Sequence, residues 1–328
     1  MSEKPFRSGY VALIGRPNVG KSTLVNALVG EKVAIVSDKP QTTRHRIRGV
    51  LTRPDAQIVF VDTPGLHKPR HLLGEYMAKA AQGAIPDVDI VLFVVDGAEG
   101  PRARDRWIAE RLARVDKPII LVVNKLDAFG TVPPAEDEEG APERPEPSPE
   151  ELQELTARFG DERTARCVAP FLSLGSFEHV APVSAVTGEG LDALVEALIA
   201  RLPEGPKYYP DDWITDAPEQ FMVAELIREQ VLHNTEDEVP HSVAVVVEEM
   251  KRRPDRDLID IRATIVVDRE SQKGIIIGKQ GSMLKRIGQA ARMEIERLLG
   301  SQVHLDLWVK AKPGWRDRAG SLQELGFR

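Results

Sequence analysis

Short aliphatic, β-branched runs alternate with amphipathic stretches over the first two thirds of the chain. Each run is followed by a loop rich in Gly, Asn, Asp or Pro. Such runs have the length and composition of strands buried on both faces, and we predict them at 11–14, 58–61, 90–95, 119–123 and 180–183. This order predicts an α/β domain over 1–205 with a mostly parallel sheet, whose ligands lie at the carboxyl ends of the strands.

The pattern changes near residue 205. Punctuation by Pro, Gly and Tyr predicts an interdomain linker, which we place at 206–218. The elements beyond it are a helix, two strands, a long amphipathic helix and a last strand, predicted at 219–232, 242–250, 258–268, 282–299 and 303–310. Because two consecutive strands precede the long helix, we predict a smaller, separate α+β domain over 219–328.

The net charge of −7 would argue against a nucleic-acid partner if it were spread evenly. It is not, because the stretch 128–163 holds eleven acidic residues, three arginines and six prolines, a net charge of −8. We interpret this stretch as a surface insertion, with a solvated and mobile loop to about residue 148 and a helix at 150–159. The rest of the chain sums to +1, so the acidic balance belongs to the insertion.

Cysteine content and apolar run lengths indicate the compartment. Cys167 is the one cysteine and cannot form an intramolecular disulfide, so we expect a passive thiol in a reducing environment. Residues 1–10 lack the apolar segment of a signal peptide, and the longest apolar runs are far shorter than a membrane span. We therefore expect a cytoplasmic protein, at most peripheral to the inner face of the cell membrane.

A phosphate-binding loop follows the first predicted strand directly. Its sequence, GRPNVGKS, matches the pattern G-x-x-x-x-G-K-[ST], in which backbone N–H groups face an anion at a helix N-terminus. We expect Lys21 to reach the β and γ phosphates and the Ser22 hydroxyl to bind Mg²⁺. The loop residues expected to bind the nucleotide are Gly15, Arg16, Pro17, Asn18, Val19, Gly20, Lys21, Ser22 and Thr23.

The loop after the fourth of these predicted strands identifies the base. It reads Asn124, Lys125, Leu126, Asp127, and a carboxylate at Asp127 would accept hydrogen bonds from N1–H and the exocyclic amine of guanine. Adenine offers no such donor pair, so the predicted ligands are GTP and GDP. Asn124 would bond the base edge or tie its loop to the phosphate loop, and the Lys125 stem would lie over the ring. Ser184 and Ala185 would place a backbone N–H near the guanine O6.

Two further segments would sense the third phosphate. In the first, Asp62, Thr63, Pro64 and Gly65 follow a predicted strand, with Asp62 placed to hold Mg²⁺ through water and the Gly65 N–H to contact the γ-phosphate. The second contains Thr42 and Thr43, one of which would complete the metal shell. We favour Thr43, with Thr42 close behind. Loss of the γ-phosphate would release both segments.

Leu66 stands where many GTPases have the glutamine that orients the attacking water. An apolar side chain cannot do so, which predicts slow intrinsic hydrolysis supported by Mg²⁺, Lys21, backbone amides and a further group, for which Asn18 is the candidate. The predicted catalytic residues are Asn18, Lys21, Thr43, Asp62 and Gly65.

The second domain contains a candidate RNA site. Its G-x-x-G turn, residues 278–281, precedes the long amphipathic helix, and six basic residues against one acid fall within 269–292. A bare tight turn beside positive charge is typical of a module that binds single-stranded RNA. The predicted RNA-binding residues are Ile277, Gly278, Lys279, Gln280, Gly281, Lys285 and Arg286. Periodicity alone would make 274–277 a strand.

These motifs together resemble the Era family of GTPases, through GRPNVGKS, KPQTTRHR, DTPGLH, NKLD, VSA and the linker YPDDWITD. The resemblance covers nearly the whole chain except the acidic insertion. It implies a type II KH domain, with a short helix rather than a strand at 274–277, and a K⁺ ion bound by Asn18 that stimulates hydrolysis. It also implies a monomer that binds the 3′ region of 16S rRNA and acts in rRNA processing and 30S ribosomal subunit assembly. Two alternatives stay open: a related GTPase that supports tRNA modification, and an assembly factor that does not hydrolyse GTP.

Overall fold

The computed structural model describes residues 5–66, 69, 71–131 and 146–327, which form two compact units. The first unit comprises 1–34, 45–67 and 78–215, and the second comprises 35–44, 68–77 and 216–328. Of the predicted acidic insertion, 132–145 lie outside the described residues. No helix in the described part of the chain combines the length and apolar character needed to cross a membrane.

The first unit is built on a six-stranded sheet of order β2-β3-β1-β4-β5-β6, in which only the β2–β3 pair is antiparallel. Its strands are β1 Arg7–Ile14, β2 Ile47–Thr52, β3 Ala56–Asp62, β4 Ile90–Asp96, β5 Ile119–Asn124 and β6 His179–Pro182. The α-helices described before residue 215 are α1 Lys21–Val29, α2 Leu72–Gln82, α3 Ala103–Leu112, α4 Pro149–Phe159, α5 Glu162–Leu172 and α6 Leu191–Ile199. The predicted mostly parallel α/β sheet is confirmed.

Alternate residues of each central strand enter different halves of the core. Val11 and Leu13 of β1 pack with α1 and α6, whereas Ala12 and Ile14 pack with α3 and α5. Because both faces are covered, the central strands are apolar throughout, which explains their continuous hydrophobic runs. Cys167 of α5, the one cysteine of the chain, is 1% exposed and lies in the half of the core that contains Ala12 and Ile14.

The sequence prediction missed strand β2 and the contacts that the predicted linker makes with the same sheet. The exposed Arg48 interrupts β2, so no continuous apolar run marks this half-buried edge strand.

The predicted linker is fixed on the same unit: the Val50 N–H donates to Ile214 O at 2.8 Å. The buried Gln57 side chain donates to Tyr209 O at 2.9 Å and accepts from the Tyr208 N–H at 2.7 Å. The first unit therefore extends to residue 215.

From α7 onward, the second unit has the element order α-β-β-α-α-β-α. Its three-stranded sheet, β7-β8-β9, has one antiparallel and one parallel pair. Its elements are α7 Glu219–Asn234, β7 Ala244–Arg252, β8 Leu258–Val267, α8 Glu270–Ile277, α9 Ser282–Leu299, β9 Gln302–Ala311 and α10 Ala319–Glu324. The order and sheet agree with the type II KH arrangement that the resemblance implied.

Helix α8 corrects the interpretation of 274–277 from periodicity. These residues form the last turn of a helix, as the resemblance implied, and not a strand. Only Ile276 is fully buried there, whereas Ile275 is 52% exposed. A four-residue apolar run carries too little periodicity to distinguish the two structures.

Candidate nucleotide-binding and RNA-binding sites

The phosphate-binding loop has a backbone that its glycines make possible. A Cβ on Gly15 would lie 2.3 Å from Val94 O, and Gly20 has a φ of +92°. The exposed Asn18 also has a positive φ, 65°, while Val19 anchors the loop in the core. The loop leads directly into α1 and so lies at a helix N-terminus, a position where backbone N–H groups can bind a phosphate.

Lys21 is buried within this loop. Its ammonium donates to Arg16 O at 2.9 Å and to Gly15 O at 3.2 Å, so the side chain folds back over the loop. Burial lowers the pKa of Lys21 to about 8, Asp62 opposes this shift and Arg16 adds to it. A phosphate at the loop would stabilise the charged form, which the buried site alone disfavours.

Two of the predicted magnesium ligands meet in the first unit. The Ser22 hydroxyl donates to Asp62 Oδ2 at 2.6 Å, and Asp62 is fully buried at the end of β3. Hydroxyl and carboxylate oxygens are the hard ligands that Mg²⁺ prefers, so this pair fits the metal beside the loop. The Thr63 hydroxyl donates to Leu13 O at 2.6 Å, which fixes the strand end that presents Asp62.

Residues 64–66 pass close to the phosphate-binding loop. A Cβ on Gly65 would lie 2.6 Å from the Pro17 nitrogen, and the Leu66 N–H donates to Gly15 O at 3.1 Å. The Leu66 side chain is 4% exposed and packs into the core of the first unit. Leu66 therefore has a structural role at the position where many GTPases have a glutamine that orients water.

The predicted guanine-binding residues form one hydrogen-bonded corner. The Asn124 side chain donates to Val19 O at 2.9 Å and accepts from the Ala185 N–H at 3.0 Å, so it ties its loop to the phosphate loop. This geometry supports the second of the two roles considered for Asn124. The Ser184 hydroxyl donates to Asp127 Oδ1 at 2.6 Å, and the Leu126 N–H donates to Val183 O at 3.1 Å. The Asp127 carboxylate is thus fixed in orientation.

Three acidic residues beside this corner escaped the sequence prediction. They are Asp96 at the end of β4, Glu99 in the following loop and Asp105 in α3, and together they hold the cations of Arg16 and Lys125. Burial alone would lower the pKa of Arg16, but Asp105, Glu99 and Asp96 together raise it. No motif marks the three acids, because only the fold brings them to the loops.

Thr42 and Thr43 lie in segment 35–44, which belongs to the second unit. Both are nearly buried, and the Thr42 hydroxyl donates to Lys39 O at 2.6 Å. Arg228 of α7 donates to Thr42 O, and Glu229 accepts from the Val36 N–H at 2.9 Å. The segment is therefore bound to α7, and which threonine binds the metal stays a prediction.

Arg44 anchors the other end of the same segment. The residue is 1% exposed, and its guanidinium donates to Val243 O at 2.5 Å and to Pro240 O at 3.1 Å. Burial, and then the nearby Arg228, hold its pKa well below the usual value. The Trp315 ring lies 6.0 Å from the Arg44 guanidinium, so an aromatic face offsets part of the desolvation.

The G-x-x-G turn has a backbone that requires its first glycine. Gly278 has a φ of 71° and a ψ of 177°, and a Cβ there would lie 2.7 Å from Met283 Cβ. Gly281 has a φ of 80° with open space around it, and Gln280 also has a positive φ, 52°. Lys279 and Gln280 are exposed at the tip. The turn thus presents bare backbone and one cation to solvent.

A groove of about 780 Å³ lies beside this turn, between α9 and β9. Gly281 and Lys285, two of the residues predicted to bind RNA, line it together with Arg292 and His304, which were not among the predicted residues. Arg286 lines a different cavity, with Lys39 and His233, so the two neighbouring cations serve different surfaces. The spacing of 281, 285, 288 and 292 on one helical face is the signal that could have revealed Arg292.

The chain is similar to known proteins along its whole length. Residues 10–125 match a family described as 50S ribosome-binding GTPase, and residues 238–316 match the KH domain family. GTPase Era of Alkaliphilus oremlandii (strain OhILAs) is 48% identical and that of Alkaliphilus metalliredigens (strain QYMF) is 46% identical. Both alignments cover 98% of this chain and 99% of the relative.

Solved structures give the same result. A crystal structure of Era in complex with MgGDPNP and nucleotides 1506–1542 of 16S ribosomal RNA has a TM-score of 0.83 and 39% identity. A crystal structure of a single-residue variant of Aquifex aeolicus Era bound to GDP·AlF₄⁻ has a TM-score of 0.83 and 38% identity. Each match covers 98% of this chain and 99% of the other.

Proposed function

Because the chain belongs to the Era family of GTPases, we propose that it binds the 3′ region of 16S rRNA under the control of GTP binding and hydrolysis. It acts in this proposal in rRNA processing and assembly of the 30S subunit. The observation that carries the proposal is the combination, in one chain, of an ordered guanine corner and a basic groove beside a G-x-x-G turn. It functions as a monomer in the cytoplasm, and weak peripheral membrane association stays a prediction.

The nucleotide half of the proposal assigns a role to each ordered residue. Lys21 contacts the β and γ phosphates, the Gly65 N–H contacts the γ-phosphate, and Asp127 selects guanine. Ser22, Asp62 and Thr43 would hold Mg²⁺, and the bound ion would offset negative charge on the phosphates. Because Leu66 is buried in the core, no side chain at that position orients water, and intrinsic hydrolysis is slow.

Asn18 supplies the additional cation site in this proposal. It is exposed at the tip of the phosphate-binding loop, and its amide oxygen is a suitable ligand for K⁺. A monovalent cation there would stabilise charge that develops between the β and γ phosphates. Hydrolysis in K⁺ buffer should exceed that in Na⁺ buffer, and Asn18→Ala should remove the difference. Equal rates for the wild type in both buffers would contradict this role.

The features that support RNA binding lie in the second unit. Bare backbone at 278–281 admits a phosphate chain, and the cations of Lys279, Lys285 and Arg292 lie on or beside the groove. The groove walls include Leu284 and Leu305, against which unstacked bases can pack. These features favour single-stranded RNA over a duplex, whose bases are not available to such a groove.

Two measurements test the proposal. Phosphate release by the wild type, with loss in Lys21→Ala, separates a GTPase from an assembly factor that only binds nucleotide. Crosslinking to total cellular RNA, followed by sequencing, should enrich the 3′ region of 16S rRNA. Enrichment of tRNA instead would favour the related GTPases that support tRNA modification, and phosphate release that does not depend on Lys21 would reject the catalytic assignment.

A further inference from the structure

Asp96 occupies a position that ties two strands to the guanine corner. It is the last residue of β4, is 1% exposed and lies opposite Asn124 in the parallel register of β4 and β5. The Gly97 N–H donates to Asn124 O at 2.7 Å, so the two strand ends are joined at this point. A carboxylate buried here needs partners that compensate its charge.

The two oxygens of Asp96 have different partners. Oδ1 accepts from the Ala98 N–H at 3.0 Å and from the Glu99 N–H at 3.2 Å, which closes the loop after β4. Oδ2 lies 2.6 Å from the Lys125 ammonium. One oxygen therefore stabilises the loop, while the other provides the charge that holds the lysine.

Lys125 is constrained at both ends of its side chain. Its backbone has a φ of 65°, in the left-handed region that favours glycine, and its ammonium is fixed by Asp96. The Lys125 side chain is 34% exposed, which leaves part of its methylene stem open to a ligand. Ordering a long lysine side chain costs rotamer entropy, so a stem that is already fixed lowers the cost of binding a base.

The neighbouring cation, Arg16, lies farther from the same oxygen than Lys125 does. Arg16 Nη2 lies 2.6 Å from Glu99 Oε2 but 4.0 Å from Asp96 Oδ2, and Arg16 Nε lies 3.3 Å from Asp105 Oδ2. Glu99 and Asp105 thus make the shorter contacts with the guanidinium, whereas the shortest contact of Asp96 Oδ2 is with Lys125. Arg16 near the phosphate loop and Lys125 beside the guanine corner therefore have different acidic residues as their closest partners.

We propose that Asp96 is a positioning residue of the nucleotide site, which holds the Lys125 ammonium so that the lysine stem packs on the guanine ring. The inference rests on the proposed contact between Lys125 and the base. It adds a specific buried partner at the end of β4 that no sequence motif contains. Asp96 touches neither the base nor the phosphates in this proposal and acts only through Lys125.

Asp96→Asn tests this role with little change in shape. The amide oxygen can still accept from the Ala98 and Glu99 N–H groups, but the charge that holds Lys125 is lost. We expect a fluorescent GDP analogue to dissociate about ten times faster, because truncating one side of a buried charge pair acts mainly on dissociation. Asp192→Asn, which changes an exposed carboxylate paired with Arg53, should leave dissociation unchanged.

A double-mutant cycle separates positioning from a general effect on folding. Lys125→Met keeps an apolar stem and removes the ammonium, so Asp96→Asn should add nothing to the dissociation rate in that background. An equal effect of Asp96→Asn with and without Lys125 would overturn the inference and make Asp96 a structural residue. Tighter binding by Asp96→Asn would also overturn it, since Asp96 would then hold the lysine away from the base. If Lys125→Met alone has no effect on GDP dissociation, the held ammonium does not position the stem and the inference is overturned. If Lys125→Ala, which also removes the stem, has no effect either, the proposed base contact itself fails.

Discussion

The proposed nucleotide site and the proposed RNA groove are built in opposite ways. At the guanine corner, the buried Asn124 side chain fixes backbone groups of two loops, and the Ser184 hydroxyl fixes the Asp127 carboxylate. At the groove, Lys279 and Lys285 are exposed and long, and the fixed element is the bare backbone of the turn. The first arrangement suits discrimination between two bases, whereas the second suits a flexible polyanion whose position can adjust.

The largest expected effect is at the guanine corner. Asp127→Asn removes the acceptor for two guanine donors while leaving the Ser184 contact possible. GTP affinity should fall by about a thousandfold, and xanthosine triphosphate, which has a carbonyl in place of the amine, should bind better than GTP. Equilibrium titration with both nucleotides measures this reversal. An unchanged preference for GTP would show that the corner does not read the base through Asp127.

Charge at the turn should matter almost as much for RNA. The double substitution Lys279→Asp and Gln280→Asp should weaken binding of a single-stranded 16S rRNA 3′ fragment about a hundredfold, through repulsion of its phosphates. GDP affinity should not change. Lys251→Asp with Gln323→Asp makes the same two replacements at exposed sites of the same unit and is the matched control. Equal losses in both variants would indicate a general charge effect and not a specific site.

The buried ammonium of Lys21 should be visible in the pH dependence of stability. Its folded pKa of about 8 lies below the usual 10.5, so between these values the unfolded chain holds more protons and stability from this group rises with pH. Relative to Lys21→Met, the wild type should gain on the order of 2 kcal/mol in unfolding free energy from pH 7 to pH 10. Denaturant titration of both proteins measures the difference. A difference that does not vary with pH would mean that Lys21 is charged and well solvated.

The two glycines of the turn should differ modestly in their tolerance of alanine. Gly278→Ala introduces a clash with Met283 and a backbone conformation almost restricted to glycine, whereas Gly281→Ala meets open space and adds only left-handed strain. We expect Gly278→Ala to cost about 1 kcal/mol more unfolding free energy than Gly281→Ala. Chemical denaturation tests the order. Equal costs would contradict both the clash at Gly278 and its stricter backbone requirement.

Chemistry that is contiguous in sequence could be predicted, and chemistry that depends on register could not. The phosphate loop and the residues 124–127 each lie in one short segment, so their types and spacing are sufficient to identify them. Asp96 meets Lys125 only because β4 and β5 pair in a particular register. A single aspartate at the end of a strand has no local signal that separates it from a solvated loop residue.

The same distinction between local signals and tertiary contacts separates the predicted parts of the fold from the missed ones. Strands buried on both faces have continuous apolar runs and were predicted, whereas β2 alternates around the exposed Arg48 and lies at an edge. The stretch predicted as a linker has the composition of one, but the buried Gln57 fixes it to the first unit through backbone hydrogen bonds. Composition indicates where a chain lacks regular structure, and it does not indicate which tertiary contacts fix such a segment.

The burial of Cys167 has a practical consequence for spectroscopy. As the one cysteine of the chain, with a side chain 1% exposed, it should react slowly with maleimide reagents under native conditions. A cysteine introduced at the exposed Lys251 or Asp192 would then be labelled selectively in an otherwise wild-type background. Dyes or spin labels could report separately on each unit while nucleotide and RNA are added.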